Sequence, residues 1–219
     1  MRLIILLLSF CLAVPALAET VQLGDRYYDI YLPADPDGAP VILALHGGGG
    51  DPDQFATASG LGQKASKAGY AVIFPAGSGR RGDRLLTWNG GYCCGYAARR
   101  NVDDLGFLTE VIADPGDRFG VAGDRVYLTG MSNGSIMAET FAAEYPDRVR
   151  AVAGVSGTLD TASFRVKGPV PALIIHGTAD SMVPYDGGQG DSSLTRTDFA
   201  SVASVVDAFL APWGGGMTQ

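Results

Sequence analysis

The chain has 219 residues, of which 47% are hydrophobic, and its formal net charge is −7. This length suits one domain with a sizeable core. The acidic balance argues against a nucleic-acid-binding protein, because no cluster of Lys and Arg could follow a phosphate backbone. The short basic run Ala98–Arg100 is interpreted as a solvated turn.

The N-terminus has the pattern of a secretory signal peptide. Arg2 supplies a positive charge, residues 3–14 are apolar, and Ala16–Ala18 has the small-x-small pattern of a cleavage site. The apolar run is short for a bilayer span. We therefore predict cleavage after Ala18, no stable membrane anchor, and a secreted protein, extracellular or periplasmic, whose domain occupies residues 19–219.

Three cysteines bear on the compartment and on metal binding. Export implies an oxidising compartment, and cleavage of the leader removes Cys11 and leaves the neighbours Cys93 and Cys94. A bond between neighbours closes a tight ring, and the chain offers no other partner, so the pairing stays open. No other Cys or His lies nearby with ligand spacing, so we expect no metal site. The sequence implies no organic cofactor either.

Short apolar runs alternate with longer segments of helical spacing. Strands are predicted at residues 27–33, 40–47, 71–77, 125–130, 150–157 and 171–177, and helices at residues 54–68, 101–112, 136–146 and 194–210. This succession predicts an α/β fold with a mostly parallel sheet and helices on both faces. Asp103 and Asp104 fall in the first turn of a predicted helix, where we expect them to cap it.

The stretch TGMSNGS contains Gly130-x-Ser132-x-Gly134 between a predicted strand and a predicted helix. This is the pattern of a sharp strand-to-helix turn that exposes a nucleophilic serine. The glycines allow the main chain to pass close to its neighbours. Ser132 is the predicted nucleophile, and the N–H of Asn133 is expected to point to where an oxyanion would form.

The stretch LHGGGG ends an earlier predicted strand. A glycine-rich turn at this place offers a second main-chain N–H to the oxyanion, and we assign it to Gly48. A phosphate-binding loop is the alternative, but the Gly-Lys-Ser/Thr ending is absent. His46 precedes the serine, whereas the fold with this turn has the order serine, acid, histidine. We therefore interpret His46 as structural.

The stretch HGTADSMVPYDGG follows the last predicted strand. Asp180 lies just past the strand end and downstream of the serine, where the acid of a catalytic triad belongs, and Asp186 is the more distant rival. Both residue positions also suit turn aspartates. His176 precedes the acid and ends the strand itself, so it too is interpreted as structural.

These motifs together resemble the secreted esterase family of α/β-hydrolases that includes polyhydroxybutyrate depolymerases and feruloyl esterases. The similar stretches are LALHGGGG, FPAGSG, TWNGGYCCGYAARRNVDDLGFL, VYLTGMSNGS and IIHGTADSMVPYDGG, which span nearly all of the chain after Pro40. The resemblance implies the α/β-hydrolase fold and ester substrates, polymeric ones included. These would be hydroxyalkanoate polymers or oligomers, or feruloyl or acetyl groups on plant polysaccharide. Ser135 is a small departure, because the family usually has glycine there.

The larger departure concerns the general base. The family's catalytic histidine follows the acid, after a further helix and strand, whereas this sequence has no histidine after His176. The resemblance therefore implies that residues 19–219 are a C-terminally incomplete hydrolase domain that stops before its last strand. We expect the 219-residue chain by itself to be almost inactive.

Two alternatives remain at this point. A secreted serine peptidase shares the serine turn and triad, and a non-catalytic secreted binding protein could use the same fold. Trp88, Tyr92 and Tyr96 could line a pocket for an aromatic acyl group or could simply pack. The sequence does not indicate an oligomeric state.

Overall fold

A computed structural model describes residues 18–193 and 195–214. The predicted signal peptide and Cys11 fall almost wholly outside these residues, so the signal peptide stays a prediction. Within the described part of the chain, no helix is long and apolar enough to cross a membrane.

A single seven-stranded sheet forms the centre of the described residues, in the order β1-β2-β4-β3-β5-β6-β7. Strands β1 and β2 are antiparallel to their neighbours, and β3 to β7 run parallel. The strands are β1 (Glu19–Leu23), β2 (Arg26–Tyr31), β3 (Pro40–Leu45), β4 (Ala71–Pro75), β5 (Ala122–Met131), β6 (Ala151–Val155) and β7 (Ala172–Ile175). The predicted mostly parallel sheet is confirmed.

Helices cover both faces of the sheet because alternate residues of the central strands point to opposite sides. Val41 and Leu43 pack in one apolar cluster with α4, α5 and α6, whereas Ala44 and Val72 pack in another with α1 and α2. The helices are α1 (Pro52–Ser59), α2 (Leu61–Lys67), α3 (Gly95–Arg99), α4 (Asp104–Phe119), α5 (Asn133–Glu144) and α6 (Val202–Leu210). Short 3₁₀ helices follow at Pro146–Arg148 and Ala211–Trp213.

Several predicted elements differ in extent: the helix predicted at 101–112 spans Asp104–Phe119, and the strand predicted at 125–130 spans Ala122–Met131. The helix predicted at 54–68 is divided at Gly60, whose φ of 60° ends α1 and precedes α2. The last predicted helix begins only at Val202, where the Ser201 side chain accepts a hydrogen bond from Ser204 N. The basic run Ala98–Arg100 belongs partly to α3 and is not simply a turn. Strand β1 and helix α3 were not predicted, because both are short and lack a clear apolar period.

The two aspartates at the start of α4 have different roles. The Asp103 carboxylate accepts a hydrogen bond from Gly106 N at 2.8 Å, so it caps the helix as predicted. Asp104 was expected to share that role, but this is wrong: it is 1% exposed and lies 2.7 Å from Arg26 Nη1. It also accepts a hydrogen bond from Asn89 N at 2.7 Å, so it ties a loop to β2.

The carboxyl ends of β5, β6 and β7 are joined by main-chain hydrogen bonds. Ser132 N donates to Val155 O at 2.8 Å, and Ser156 N donates to Ile175 O at 2.9 Å. Loops that leave parallel strands meet at this edge of the sheet. The residues that follow β5, β6 and β7 are therefore brought to one side of the molecule.

Candidate active site

Ser132 occupies a sharp turn between β5 and α5. Its φ of 53° and ψ of −123° lie outside the regions that side-chain-bearing residues usually adopt. A Cβ atom on Gly130 would collide with the main chain of Gly134, and one on Gly134 would collide with the main chain of Leu45 and His46. The two glycines of the motif are therefore required by close main-chain approach, and the turn presents the serine at the surface of a pocket.

The pocket beside Ser132 has a volume of about 560 Å³. Gly48, Asn133 and Ser132 all line it, so the structure brings together three of the four predicted site residues. Its remaining walls come from the loops after β3 and β4, from α3 and α5, and from the segment between β7 and α6. These walls are mainly apolar, with arginines among them: Gly49, Arg80, Arg81, Arg84, Leu85, Thr87, Cys93, Cys94, Gly95, Tyr96, Arg99, Ile136, Met182, Val183, Ser193, Thr195 and Phe199.

Gly48 and Asn133 lie against each other at the side of the serine. A Cβ atom on Gly48 would sit 3.5 Å from the Asn133 Cβ. Neither Gly48 N–H nor Asn133 N–H has a hydrogen-bond acceptor among residues 18–193 and 195–214. For Asn133 this follows from its place at the start of α5, since the first N–H groups of a helix have no partner within it. Two unpaired donors beside a serine hydroxyl are what an oxyanion site needs.

The side chain of Asn133 has a function that the sequence did not reveal. Its Oδ1 accepts a hydrogen bond from Trp88 N at 2.7 Å, and its Nδ2 donates to Trp88 O at 3.0 Å. The side chain therefore holds the loop after β4 through both ends of its carboxamide, while the main-chain N–H of Asn133 has no acceptor in the described residues.

His46 is completely buried beneath the glycine-rich loop. Its Nε2 accepts a hydrogen bond from Gly77 N at 3.0 Å, and its Nδ1 donates to Gly47 O at 2.8 Å. Burial lowers the pKa of His46 to about 4. Both ring nitrogens are occupied by the main chain, which fits a residue that fixes the loop.

Asp180 follows β7 and lies outside the pocket lining. Its Oδ1 accepts hydrogen bonds from Met182 N at 2.8 Å and Val183 N at 3.0 Å. Burial tends to raise the pKa of Asp180, but these two N–H groups, His176 and the Ser156 hydroxyl outweigh it and hold the pKa below its usual value. Asp180 is therefore an ionised carboxylate, and it lies at the carboxyl ends of the strands, as Ser132 does.

The second histidine is held beneath the Asp180 loop. His176 Nε2 donates to Val183 O at 2.7 Å and lies 3.6 Å from Asp180 Oδ2. Its Nδ1 is buried and has no hydrogen-bond partner among the described residues. The rival carboxylate, Asp186, is exposed.

Glu139 and Ser135 form a buried pair on α5 beneath the serine turn. The Ser135 hydroxyl donates to Glu139 Oε1 at 3.0 Å, and both residues are fully buried. Burial raises the pKa of Glu139 to about 8. The departure from glycine at Ser135 thus supplies a partner for a buried carboxyl group.

The loop aromatics divide between packing and the pocket. Trp88 is completely buried and its Nε1 donates to His46 O at 3.0 Å, while the Tyr92 hydroxyl donates to Thr158 O at 2.6 Å. Only Tyr96 of the three lines the pocket. Next to it, the neighbours Cys93 and Cys94 are bonded to each other in a disulfide, which answers the open question of their pairing.

Comparison with solved structures bears on the fold. The chain is similar to a thermostable esterase, with 20% identity and a TM-score of 0.60 over 78% of this chain and 49% of that one. It is also similar to an acetyl xylan esterase from Aspergillus awamori, with 19% identity and a TM-score of 0.54 over 69% of this chain and 57% of that one. At these identities the likeness shows the α/β-hydrolase fold alone.

Comparison with curated proteins bears on the family. The protein named "Putative esterase NocK", from Nocardia uniformis subsp. tsuyamanensis, is 34% identical over 71% of this chain and 44% of its own length. The bifunctional acetylxylan esterase/xylanase XynS20E of Neocallimastix patriciarum is 24% identical over 81% of this chain and 25% of its own length. The chain thus spans less than half of either relative. Residues 26–164, more than half of the chain, match the family described as esterase PHB depolymerase, and the protein belongs to that family.

Proposed function

We propose that this protein is a secreted serine esterase that cleaves carboxylic esters through an acyl-enzyme on Ser132. One observation carries the proposal: the strained Ser132 turn lies in the same pocket as two main-chain N–H groups, of Gly48 and Asn133, that have no acceptor in the described part of the chain. Membership in an esterase family supports the choice of ester chemistry.

The proposed reaction has two halves. The Ser132 hydroxyl gives its proton to a general base as its Oγ forms a bond to the ester carbonyl carbon. The N–H groups of Gly48 and Asn133 donate to the resulting oxyanion. The C–O bond to the alcohol then breaks, and the alcohol leaves with the proton. Water attacks the acyl-enzyme in the second half, which releases the acid and restores Ser132.

The general base is proposed to come from outside residues 18–193 and 195–214. No histidine of that part is hydrogen-bonded to Ser132: His46 is occupied by Gly77 and Gly47, and His176 Nε2 is occupied by Val183. Asp180, ionised at the end of β7, is the proposed orienter of this base. A segment that pairs with the exposed edge of β7 would carry the base to Ser132.

The substrates proposed are hydroxyalkanoate esters or feruloyl and acetyl esters of polysaccharide. A further similar protein is feruloyl esterase B of Piromyces equi, which is 29% identical over 68% of this chain and 28% of its own length. The large, mainly apolar pocket is suited to an acyl group of that size. Secretion rests on the N-terminal pattern of the sequence.

The experiment uses the full-length protein, by which we mean the chain together with the proposed base-carrying segment. It compares this protein with its Ser132→Ala variant on p-nitrophenyl butyrate. We expect kcat to fall by about 10⁶-fold, as in knockouts of a serine protease triad. Ser59→Ala, which removes a hydroxyl in α1 far from the pocket, is the control and should keep parental activity. Near-parental activity of Ser132→Ala would disprove the proposal. A parental enzyme that also cleaves peptide amides would favour the peptidase alternative.

A further inference from the structure

Four arginines line the pocket of Ser132. Arg80, Arg81 and Arg84 lie on the loop after β4, and Arg99 ends α3. Among the residues that the structure describes, no Asp or Glu lines this pocket. The chain as a whole has 16 basic and 23 acidic residues, so a pocket with only positive charges contrasts with the negative net charge of the protein.

The arginine loop is fixed beside the serine by hydrogen bonds. Ser78 and Thr87 exchange two main-chain hydrogen bonds of 2.9 Å, which close the loop at its base. Gly49 N donates to Leu86 O at 2.7 Å, and Ala97 N donates to Thr87 Oγ1 at 3.0 Å. The loop is therefore joined both to the glycine-rich turn and to α3, so all four arginines belong to one connected wall.

No carboxylate of the described residues neutralises these arginines by direct contact. None of the four guanidinium groups is in an ion pair in that part of the chain. Asp83 lies on the same loop but outside the pocket lining, and it is not paired with any of the four arginines in the described residues. Asp180 is held by Met182 and Val183.

We propose that this pocket selects esters that carry a free carboxylate remote from the bond to be cleaved. Hydrolysis of such esters rests on the proposed function, but the selection itself is a binding property. The apolar side chains of Ile136, Val183 and Phe199 would hold the hydrocarbon part of the ligand. The guanidinium groups would hold its carboxylate, since arginine binds carboxylates through two parallel hydrogen bonds. The positive potential would also attract the anion from solution.

The first test measures binding and needs no turnover. Two amides that mimic aryl esters are titrated calorimetrically into the Ser132→Ala full-length protein: glutaric acid monoanilide, which carries a carboxylate, and pentananilide, which does not. We expect the anionic amide to bind at least 10-fold more tightly at low ionic strength, and the difference to shrink in 0.5 M NaCl.

Variants identify the groups responsible. Arg84→Gln and Arg99→Gln should each reduce the preference at least three-fold while they leave the affinity for pentananilide nearly unchanged, and Arg84→Lys should restore part of it. Arg150→Gln is the matched control, because Arg150 is exposed at the opposite, amino end of β6. Equal affinity for the two amides, no binding of either, or an equal loss in the Arg150→Gln variant would overturn the proposal.

A kinetic experiment then locates the carboxylate within the substrate. Mono-p-nitrophenyl glutarate against p-nitrophenyl pentanoate tests the acyl side, and the hydroxybutyrate dimer against its methyl ester tests the alcohol side. A higher kcat/KM for the anionic member of either pair supports the proposal, and a preference for the neutral member of both pairs contradicts it. If no ester at all is cleaved while the anionic amide still binds preferentially, the proposed function fails and the selection stands.

Discussion

The carboxamide of Asn133 forms two hydrogen bonds with the main chain of Trp88, one in each direction, at 2.7 and 3.0 Å. This ring joins the first residue of α5 to the loop after β4. Because Asn133 directly follows Ser132, any displacement of that loop is transmitted to the serine turn. The same loop carries three of the pocket arginines, so this side chain links the serine turn to the pocket wall.

Asn133→Ala is expected to lower the free energy of unfolding by about 1–3 kcal/mol, the usual cost of a buried unpaired polar group. Trp88 N would lose its acceptor, whereas Trp88 O would keep the hydrogen bond from Cys94 N at 2.9 Å. Chemical denaturation of the variant and parent measures this. Gln63→Ala removes an exposed carboxamide on α2 and should change stability little. Equal stability of Asn133→Ala and parent would contradict the role given to this side chain.

The site was predictable from sequence where the chemistry depends on adjacent residues. The spacing of glycines around Ser132 follows from collisions between main-chain atoms that are close in sequence, so a short motif is enough to find it. The Asn133–Trp88 hydrogen bonds join residues 45 positions apart. The pocket arginines look, in sequence, like a solvated loop. Their convergence depends on where α3 is placed, and no local pattern encodes that.

Asp104→Asn is expected to lower the free energy of unfolding by about 3–5 kcal/mol, because it leaves Arg26, whose side chain is only 17% exposed, without a countercharge. Arg26 lies 2.7 Å from the Asp104 carboxylate, with its guanidinium 3.5 Å from the centre of the Phe107 ring. Denaturant unfolding at pH 7 measures the loss.

The control for this pair is Asp124→Asn. Asp124 lies 3.8 Å from Arg150 and its side chain is 80% exposed, so the change should cost less than about 1 kcal/mol. Losses of equal size in the two variants would show that the buried pair contributes no more than an exposed one.

The buried carboxyl group of Glu139 predicts a stability that falls as pH rises. Its pKa is raised from 4.5 to about 8 in the folded protein. Below pH 4.5 both the folded and the unfolded chain hold the proton, so the titration of Glu139 does not lower the free energy of unfolding. Between the two pKa values the unfolded chain releases the proton and the folded chain keeps it. The free energy of unfolding therefore falls by about 1.4 kcal/mol per pH unit until the pKa of the folded protein is passed.

Glu139→Gln should remove this component of the pH dependence. Glutamine keeps an acceptor for the Ser135 hydroxyl but does not titrate, so the variant should gain stability relative to the parent steadily from pH 5 to pH 8. Urea unfolding at each pH unit measures the difference. Glu110→Gln changes an exposed carboxyl group on α4 and should keep the parental slope. A parental slope in Glu139→Gln would mean that Glu139 is already ionised in the folded protein.

The fold was predictable as far as apolar periodicity extends. Strands β3, β4, β6 and β7 are short apolar runs ended by turns, and their positions were predicted to within a few residues. Gly60 was missed as a division because a glycine inside a helical pattern often stays helical, whereas here it adopts a left-handed conformation and ends α1 with a hydrogen bond from its N–H to Ala56 O. Asp104 was misassigned because its partner, Arg26, lies on a distant strand.

The edge of β7 leads to a prediction about solution behaviour. Leu173 and Ile175, on the same side of this strand, are 56% and 51% exposed, and in the described residues β7 has a neighbour only on the β6 side. An exposed apolar edge with unpaired main-chain groups promotes pairing between molecules. We therefore expect residues 19–219 to self-associate when purified alone, as measured by light scattering against concentration.

The double variant Leu173→Lys/Ile175→Lys should be largely monomeric, because charge on an edge strand opposes such pairing. Leu85→Lys, which replaces an apolar residue that is 67% exposed but lies outside the sheet, should associate like the parent. Association that is unchanged in the double lysine variant, or reduced equally by Leu85→Lys, would show that the β7 edge is not the contact.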